Sequence, residues 1–134
     1  MLPTECLCTR LRRASRGVSK RYDDALSGVG VSVAQYSLLR HLQRLDQPSI
    51  TDLADAVGLE RSTLGRNLRL LEARGLVTLQ DGADQRNRLV SLTAKGAGVL
   101  AEALEAWQAV QLDLKQRLQP HHLQALDELL ASLD

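Results

Sequence analysis

Apolar residues recur at three- and four-residue steps through most of this chain, and the interruptions mark its joints. Leu7, Leu11, Ala14, Val18, Tyr22 and Ala25 form one such stripe and predict a helix over residues 4–26, with Thr4 as its N-cap. Ser27, Gly28, Val29 and Gly30 break it. Ser32 opens a second helix, and Gln35 three residues on completes a capping box ahead of the stripe Val33, Tyr36, Leu39, Leu42 and Leu45. After Pro48, the residues Ile50, Leu53, Ala54 and Val57 give a two-turn helix that Gly58 ends, because the position after a helix favours a left-handed backbone. The next helix starts near Glu60 and is backed by Leu64, Leu68 and Leu71. Val77 and Leu79, then Val90 and Leu92, alternate as strand residues do, around a polar hairpin tip over residues 81–87. Thr93 caps a long helix running to Leu118, and Pro120 starts a last one lined by Leu123, Leu126, Leu129, Leu130 and Leu133.

The centre of this series has the form of a helix-turn-helix followed by a wing. Ala54, Gly58 and Leu64 stand where that motif needs a small contact residue, a turn glycine and an apolar anchor. On a wheel of about 100° per residue, Ser62, Arg66 and Arg69 fall opposite the leucines. A short helix with an apolar back and an Arg/Ser front suits a DNA groove, since the guanidinium fork matches the O6 and N7 acceptors of guanine. Thr63 sits beside Ser62 at the helix start, Arg61 lies nearer the apolar side with reach to a phosphate, and Gly65 removes a side chain where the helix would approach the groove. The competing reading is a solvated, Arg-rich helix face. In the hairpin, Arg86 is placed for a minor groove, and Arg88 for a phosphate or for a pair with Asp81.

Composition changes the picture little. The chain has 134 residues, no Phe, one Trp and two Tyr, so Leu, Val and Ala must fill the core, as suits a mainly helical protein. The net charge of +1 says nothing of a nucleic-acid partner, but its distribution does. Arg10, Arg12, Arg13, Arg16, Lys20 and Arg21 form one basic run, and Arg61, Arg66, Arg69, Arg74, Arg86 and Arg88 another. Beyond Leu100, acids prevail: Glu102, Glu105, Asp113, Asp127, Glu128 and Asp134. No apolar run is long enough for a membrane span, and the N-terminus has no secretory h-region, so Cys6 and Cys8 are expected as reduced cytoplasmic thiols. His121 and His122 are adjacent and cannot both ligate one metal from a helix face, and no nucleophile–base pair is present. Neither a metal, a cofactor nor an enzyme activity is expected.

Residues 59–96 resemble the MarR family of winged helix-turn-helix regulators, and the similarity extends over nearly the whole chain. The motifs are Ser62, Thr63 and Leu64 at the helix start, the run from Leu71 to Val77 (Leu-Glu-Ala-Arg-Gly-Leu-Val), Asp84 and Arg86 in the wing, and Leu92 to Gly96 (Leu-Thr-Ala-Lys-Gly). The resemblance implies a homodimer on a pseudo-palindromic operator of double-stranded DNA, usually a repressor released by a small ligand or an oxidant. It gives Asp84 the role of holding an arginine through a charge-assisted pair. The division expected is a dimerisation helix over 1–31, a DNA-binding lobe over 32–93 and dimerisation helices over 94–134, because both end segments are too amphipathic to stand alone.

Two sensing schemes are compatible with these residues. In one, an aromatic ligand enters a cleft drawn, by resemblance, from the first, second and fifth helices, near Tyr22, Tyr36, His41 and Trp107; the alternative for each is a core residue with a satisfied polar end. In the other, Cys8 reacts with a peroxide. The segment Cys8 to Tyr22 is similar to the sensing helix of the organic hydroperoxide regulators, except that Arg12 stands where that pattern has a second Tyr. Fourteen residues return Tyr22 to within about 40° of Cys8 but about 21 Å along the axis, so only a partner helix brings them together. Arg12 would lower the thiol pKa. The competing reading is a pair of buried, inert thiols. As a whole, the sequence also admits a winged-helix module that binds protein rather than DNA.

Overall fold

The computed structural model describes residues 5–80 and 88–134. Its elements run α1 (Leu7–Leu26), α2 (Val33–Arg44), α3 (Ile50–Val57), α4 (Arg61–Ala73), β1 (Val77–Leu79), β2 (Val90–Leu92), α5 (Ala94–Arg117) and α6 (Pro120–Leu133). This is the mainly α winged helix expected from the periodicity, and the local signals explain its boundaries. The Ser32 hydroxyl accepts from the Gln35 amide while the Gln35 side chain accepts from Ser32, closing the capping box of α2. Gly58 ends α3 at φ +70°, a conformation in which any Cβ would be strained. The Thr93 hydroxyl accepts from Gly96 to cap α5. One boundary differs from expectation: α1 begins at Leu7 with Cys6 as its N-cap residue and no side-chain cap, and Thr4 lies outside the described residues.

One buried cluster unites the elements. It takes Tyr22 and Leu26 from α1, Leu38 and Leu39 from α2, Leu53 from α3, Leu64, Leu68 and Leu71 from α4, Val77 and Val90 from the sheet, and Leu100, Ala103 and Val110 from α5. Each buried Leu or Val among them contributes about 1.5–3 kcal/mol relative to exposure, so the stripes read along the chain are what fix the packing. The strands are antiparallel, with Val77 opposite Leu92 and Leu79 opposite Val90. A further rib borders β2: the Val90 amide donates to the Pro48 carbonyl at 2.9 Å and the Ile50 amide to the Arg88 carbonyl at 3.0 Å. The entry into α3 is thereby hydrogen-bonded to the wing.

Both ends of the chain leave apolar surface uncovered. Leu7 and Leu11 of α1 are 68% and 46% exposed, and no residue of α6 is buried, with Leu130 at 57% and Leu133 at 69%. Faces of this kind on a lone protomer are interaction surfaces. Among the described residues, no helix is long and apolar enough to cross a membrane.

Candidate nucleic-acid interface

The sharp turn at Gly58 projects α4 from the body with its leucine side turned in. Leu64, Leu68 and Leu71 are buried, while Arg61, Ser62, Arg66 and Arg69 are exposed. Arg61 is as open as the others, despite its wheel position nearer the leucines, because it stands in the first turn. Among the described residues, no ion pair or side-chain hydrogen bond engages Arg61, Arg66 or Arg69. Of the acids nearest in sequence, Glu60 falls about 120° or more from each of Ser62, Arg66 and Arg69, and Glu72 lies about 60° from Arg69 without pairing with it among the described residues. The face is therefore cationic and unneutralised. Thr63 and Gly65 are half-buried on its flanks, and a Cβ at Gly65 would meet nothing within 4 Å. Leu70, which polar patterning gave no reason to select, is 57% exposed beside Arg66.

In the wing, Asp84 and Arg86 lie outside the described residues, as does the Asp81 partner considered for Arg88. Arg88 itself is half-buried and its Nε donates to the Gln80 carbonyl at 3.1 Å, so this guanidinium braces the base of the wing.

Three of the four residues expected around a ligand cleft do converge. Tyr22, Tyr36 and Trp107 line a cavity of about 380 Å³ between α1, α2 and α5, together with Val33, Ser37, Arg40 and Arg44. Tyr36 and Trp107 stack with centroids 5.7 Å apart at 23°. His41 is not part of the lining: its Nδ1 lies 2.7 Å from the Ser37 carbonyl of the preceding turn, which satisfies the ring within its own helix. The Tyr22 hydroxyl donates to Gln111 Oε1. Tyr36 is different. The residue is 4% exposed and its hydroxyl has no hydrogen-bond partner among the described residues, contrary to the expectation of a satisfied polar end. Burial raises the pKa of the Tyr36 phenol, against the opposing pull of Arg40 and Arg44.

Neither cysteine is in a disulfide among the described residues, and both are exposed on the lone protomer, where the competing reading had them buried. Cys8 and Tyr22 lie on one unbroken helix and do not meet within a chain, and Arg12 is solvent-exposed. The hydrogen bond from the Thr9 side chain, and then from its backbone, lowers the Cys6 pKa. The polarised thiol is thus the neighbour of the one selected from sequence. Its signal was its place just ahead of the helix, where amides point outward without partners.

Comparison with known proteins agrees with this architecture. A sequence model described as MarR family matches residues 29–87. The transcriptional regulator HosA of Escherichia coli O127:H6 is 38% identical over 87 residues, a match spanning 63% of this chain and 63% of HosA. The transcriptional regulator MosR of M. tuberculosis, solved in complex with DNA, superposes with a TM-score of 0.81 at 35% identity over 93% of each chain. The transcriptional repressor CouR, solved on a 23-mer duplex, is 29% identical with a TM-score of 0.79, covering 96% of this chain and 92% of CouR. The sequence match and the superposition over most of the chain agree with the helix-turn-helix and wing described above, and the chain belongs to the MarR family of winged-helix transcriptional regulators.

Proposed function

We propose that this protein is a cytoplasmic, homodimeric regulator that binds a pseudo-palindromic site on double-stranded DNA, acting as a repressor. The observation that carries the reading is the exposed, unneutralised row Ser62, Arg66 and Arg69 on a helix whose other side is locked by Leu64, Leu68 and Leu71. Phosphates supply most of the attraction for such a surface, and base edges supply the selectivity. Arg61, Thr63 and Gly65 flank the contact, and Asp84, Arg86 and Arg88 belong to a wing that follows the adjacent groove. Residues 32–93 form the reading lobe. Residues 1–31 and 94–134 supply the apolar faces of α1, α5 and α6 that a second copy covers.

Release is by a small aromatic ligand in the cavity of Tyr22, Tyr36 and Trp107. The unpartnered Tyr36 hydroxyl and the Arg40 and Arg44 side chains favour a planar molecule bearing an acceptor or an anion. A second reading, release by an oxidant at the N-terminal thiols, is favoured by the exposure of Cys6 and Cys8 and by the lowered pKa of Cys6. Under it, Cys6 is alkylated faster than Cys8 at neutral pH, and equal rates remove its basis.

Titration of a fluorescent random duplex at several salt concentrations tests the main reading. Binding that weakens steeply with salt, with the slope reduced by about one unit on removing a phosphate-contacting arginine, is the expected result. A protein-interaction module would show no attraction for the duplex even in dilute buffer.

A further inference from the structure

A dimeric reader must hold its two reading helices at a set separation, because half-sites repeat about one helical turn apart. Within each protomer α4 packs on α3 and β1, whereas the helices proposed above to form the dimer are α1, α5 and α6. The separation therefore depends on what ties the end of α4 to that arm. We infer that Arg74 is this tie: a positioning residue that sets the reading helix against the α1–α2 turn and the start of α5. The inference rests on the DNA-binding homodimer proposed above.

Arg74 is the C-cap residue of α4, and three segments meet on it. Its Nη1 donates to the carbonyl of Gly30, 44 residues back, at 2.5 Å. Gly30 is a firm anchor, since its own amide bonds to the carbonyls of Leu26 and Ser27 at the end of α1. It also has to be glycine there: its φ is +85°, and a Cβ would lie 3.2 Å from the Arg74 Nη2. From the other side, Lys95 Nζ in the first turn of α5 donates to the Arg74 carbonyl at 2.9 Å, and the Thr93 hydroxyl donates to the Gly75 carbonyl at 2.7 Å. A guanidinium is suited to this place because its planar fork fixes direction as well as distance. The helices that meet at this joint, α1, α2 and α5, are the same three that wall the cavity of Tyr22, Tyr36 and Trp107. A ligand that displaces the α1–α2 turn would move α4 through Arg74.

The test uses full-length protein and a duplex that the wild type selects from a random-sequence library, alongside versions with one or two base pairs inserted at its centre. Wild type should lose affinity on insertion. In Arg74→Ala that insertion penalty should shrink about three- to tenfold, the range expected for a coupling residue, while the salt slope stays as in wild type. Arg74→Lys keeps the charge and one donor but not the fork, and should recover part of the penalty; it also serves as the readout if the alanine variant fails to fold. An unchanged penalty in both variants overturns the inference. So does an equal loss on every duplex with the slope reduced by about one unit, which makes Arg74 a phosphate contact. If wild type binds no duplex, or shows no insertion penalty, the homodimeric DNA reading itself fails, and that outcome is distinguishable from the failure of Arg74.

Discussion

Gly96 and Gly98 stand two residues apart in α5, and the same substitution at each should move stability in opposite directions. A Cβ at Gly96 would lie 2.1 Å from the Leu76 carbonyl oxygen and 2.8 Å from Leu92 Cδ1. Ordinary contact begins near 3.4 Å, so the backbone joining α4 to β1 would have to retreat by about 1 Å in a close-packed region. That oxygen also accepts the Thr93 amide at 3.1 Å, and the Leu76 side chain is fully buried, so neither side yields freely. Overpacking of this kind costs about 1–3 kcal/mol, and loss of the Thr93–Leu76 hydrogen bond about 1 more. Alanine returns up to about 1 kcal/mol of helix propensity, leaving Gly96→Ala less stable by about 1–3 kcal/mol. At Gly98 a Cβ meets nothing within 4 Å. Only the propensity gain remains there, so Gly98→Ala should be more stable by about 0.5–1 kcal/mol. Urea unfolding of the three proteins at one protein concentration, needed because the proposed dimerisation would enter the equilibrium, reads both effects. Shifts of the same sign, or a Gly96→Ala protein as stable as wild type, would refute the close approach of α5 to the wing base.

The remaining predictions concern the two candidate sites. Gly65→Ala meets no atom within 4 Å and should stabilise the free protein by about 0.5–1 kcal/mol while weakening duplex binding; stabilisation with unchanged binding would remove Gly65 from the interface. Arg66→Ala should cost about 1–3 kcal/mol on a selected duplex and relax its base preference, whereas equal losses on selected and unrelated DNA would assign Arg66 to a phosphate. Tyr36→Phe deletes a buried hydroxyl that has no partner among the described residues, so unfolding free energy should hold or rise by up to about 1–2 kcal/mol while response to an aromatic ligand falls. Because burial raises the Tyr36 pKa above 10.0, the native state holds its proton longer than the unfolded chain. That stabilisation is complete below pH 10 and is lost as pH rises beyond it; Tyr36→Phe should flatten the alkaline decline, and an identical decline would place its origin elsewhere.

Much of the fold was legible because its signals are local. Ser32 with Gln35, Gly58, Thr93 and Pro120 each act within four residues of where they stand, and the leucine stripes need only helical periodicity. The arginine front of α4 was readable for the same reason, since a face opposite three buried leucines must be exposed. What escaped was set by contacts distant in sequence. Pro48 and Ile50 flank β2 in a rib too short to have a period. The Arg74–Gly30 bond spans 44 residues and has no pattern to announce it. His41 was selected for its polar tip, yet a carbonyl one turn away claims its ring. Cys6 is set apart chiefly by the hydrogen bonds that Thr9 makes to it, which no periodicity announces. In each of these cases the residue type was visible and the partner was not.

The proposed function places two copies of α4 in successive grooves on one face of a duplex. Hydroxyl-radical cleavage of an end-labelled duplex selected by the protein measures that arrangement directly. The account predicts two symmetric protected patches centred about 10 base pairs apart, both lost together in an Arg66→Ala, Arg69→Ala double variant. A single patch, or two patches untouched by that double substitution, would contradict it.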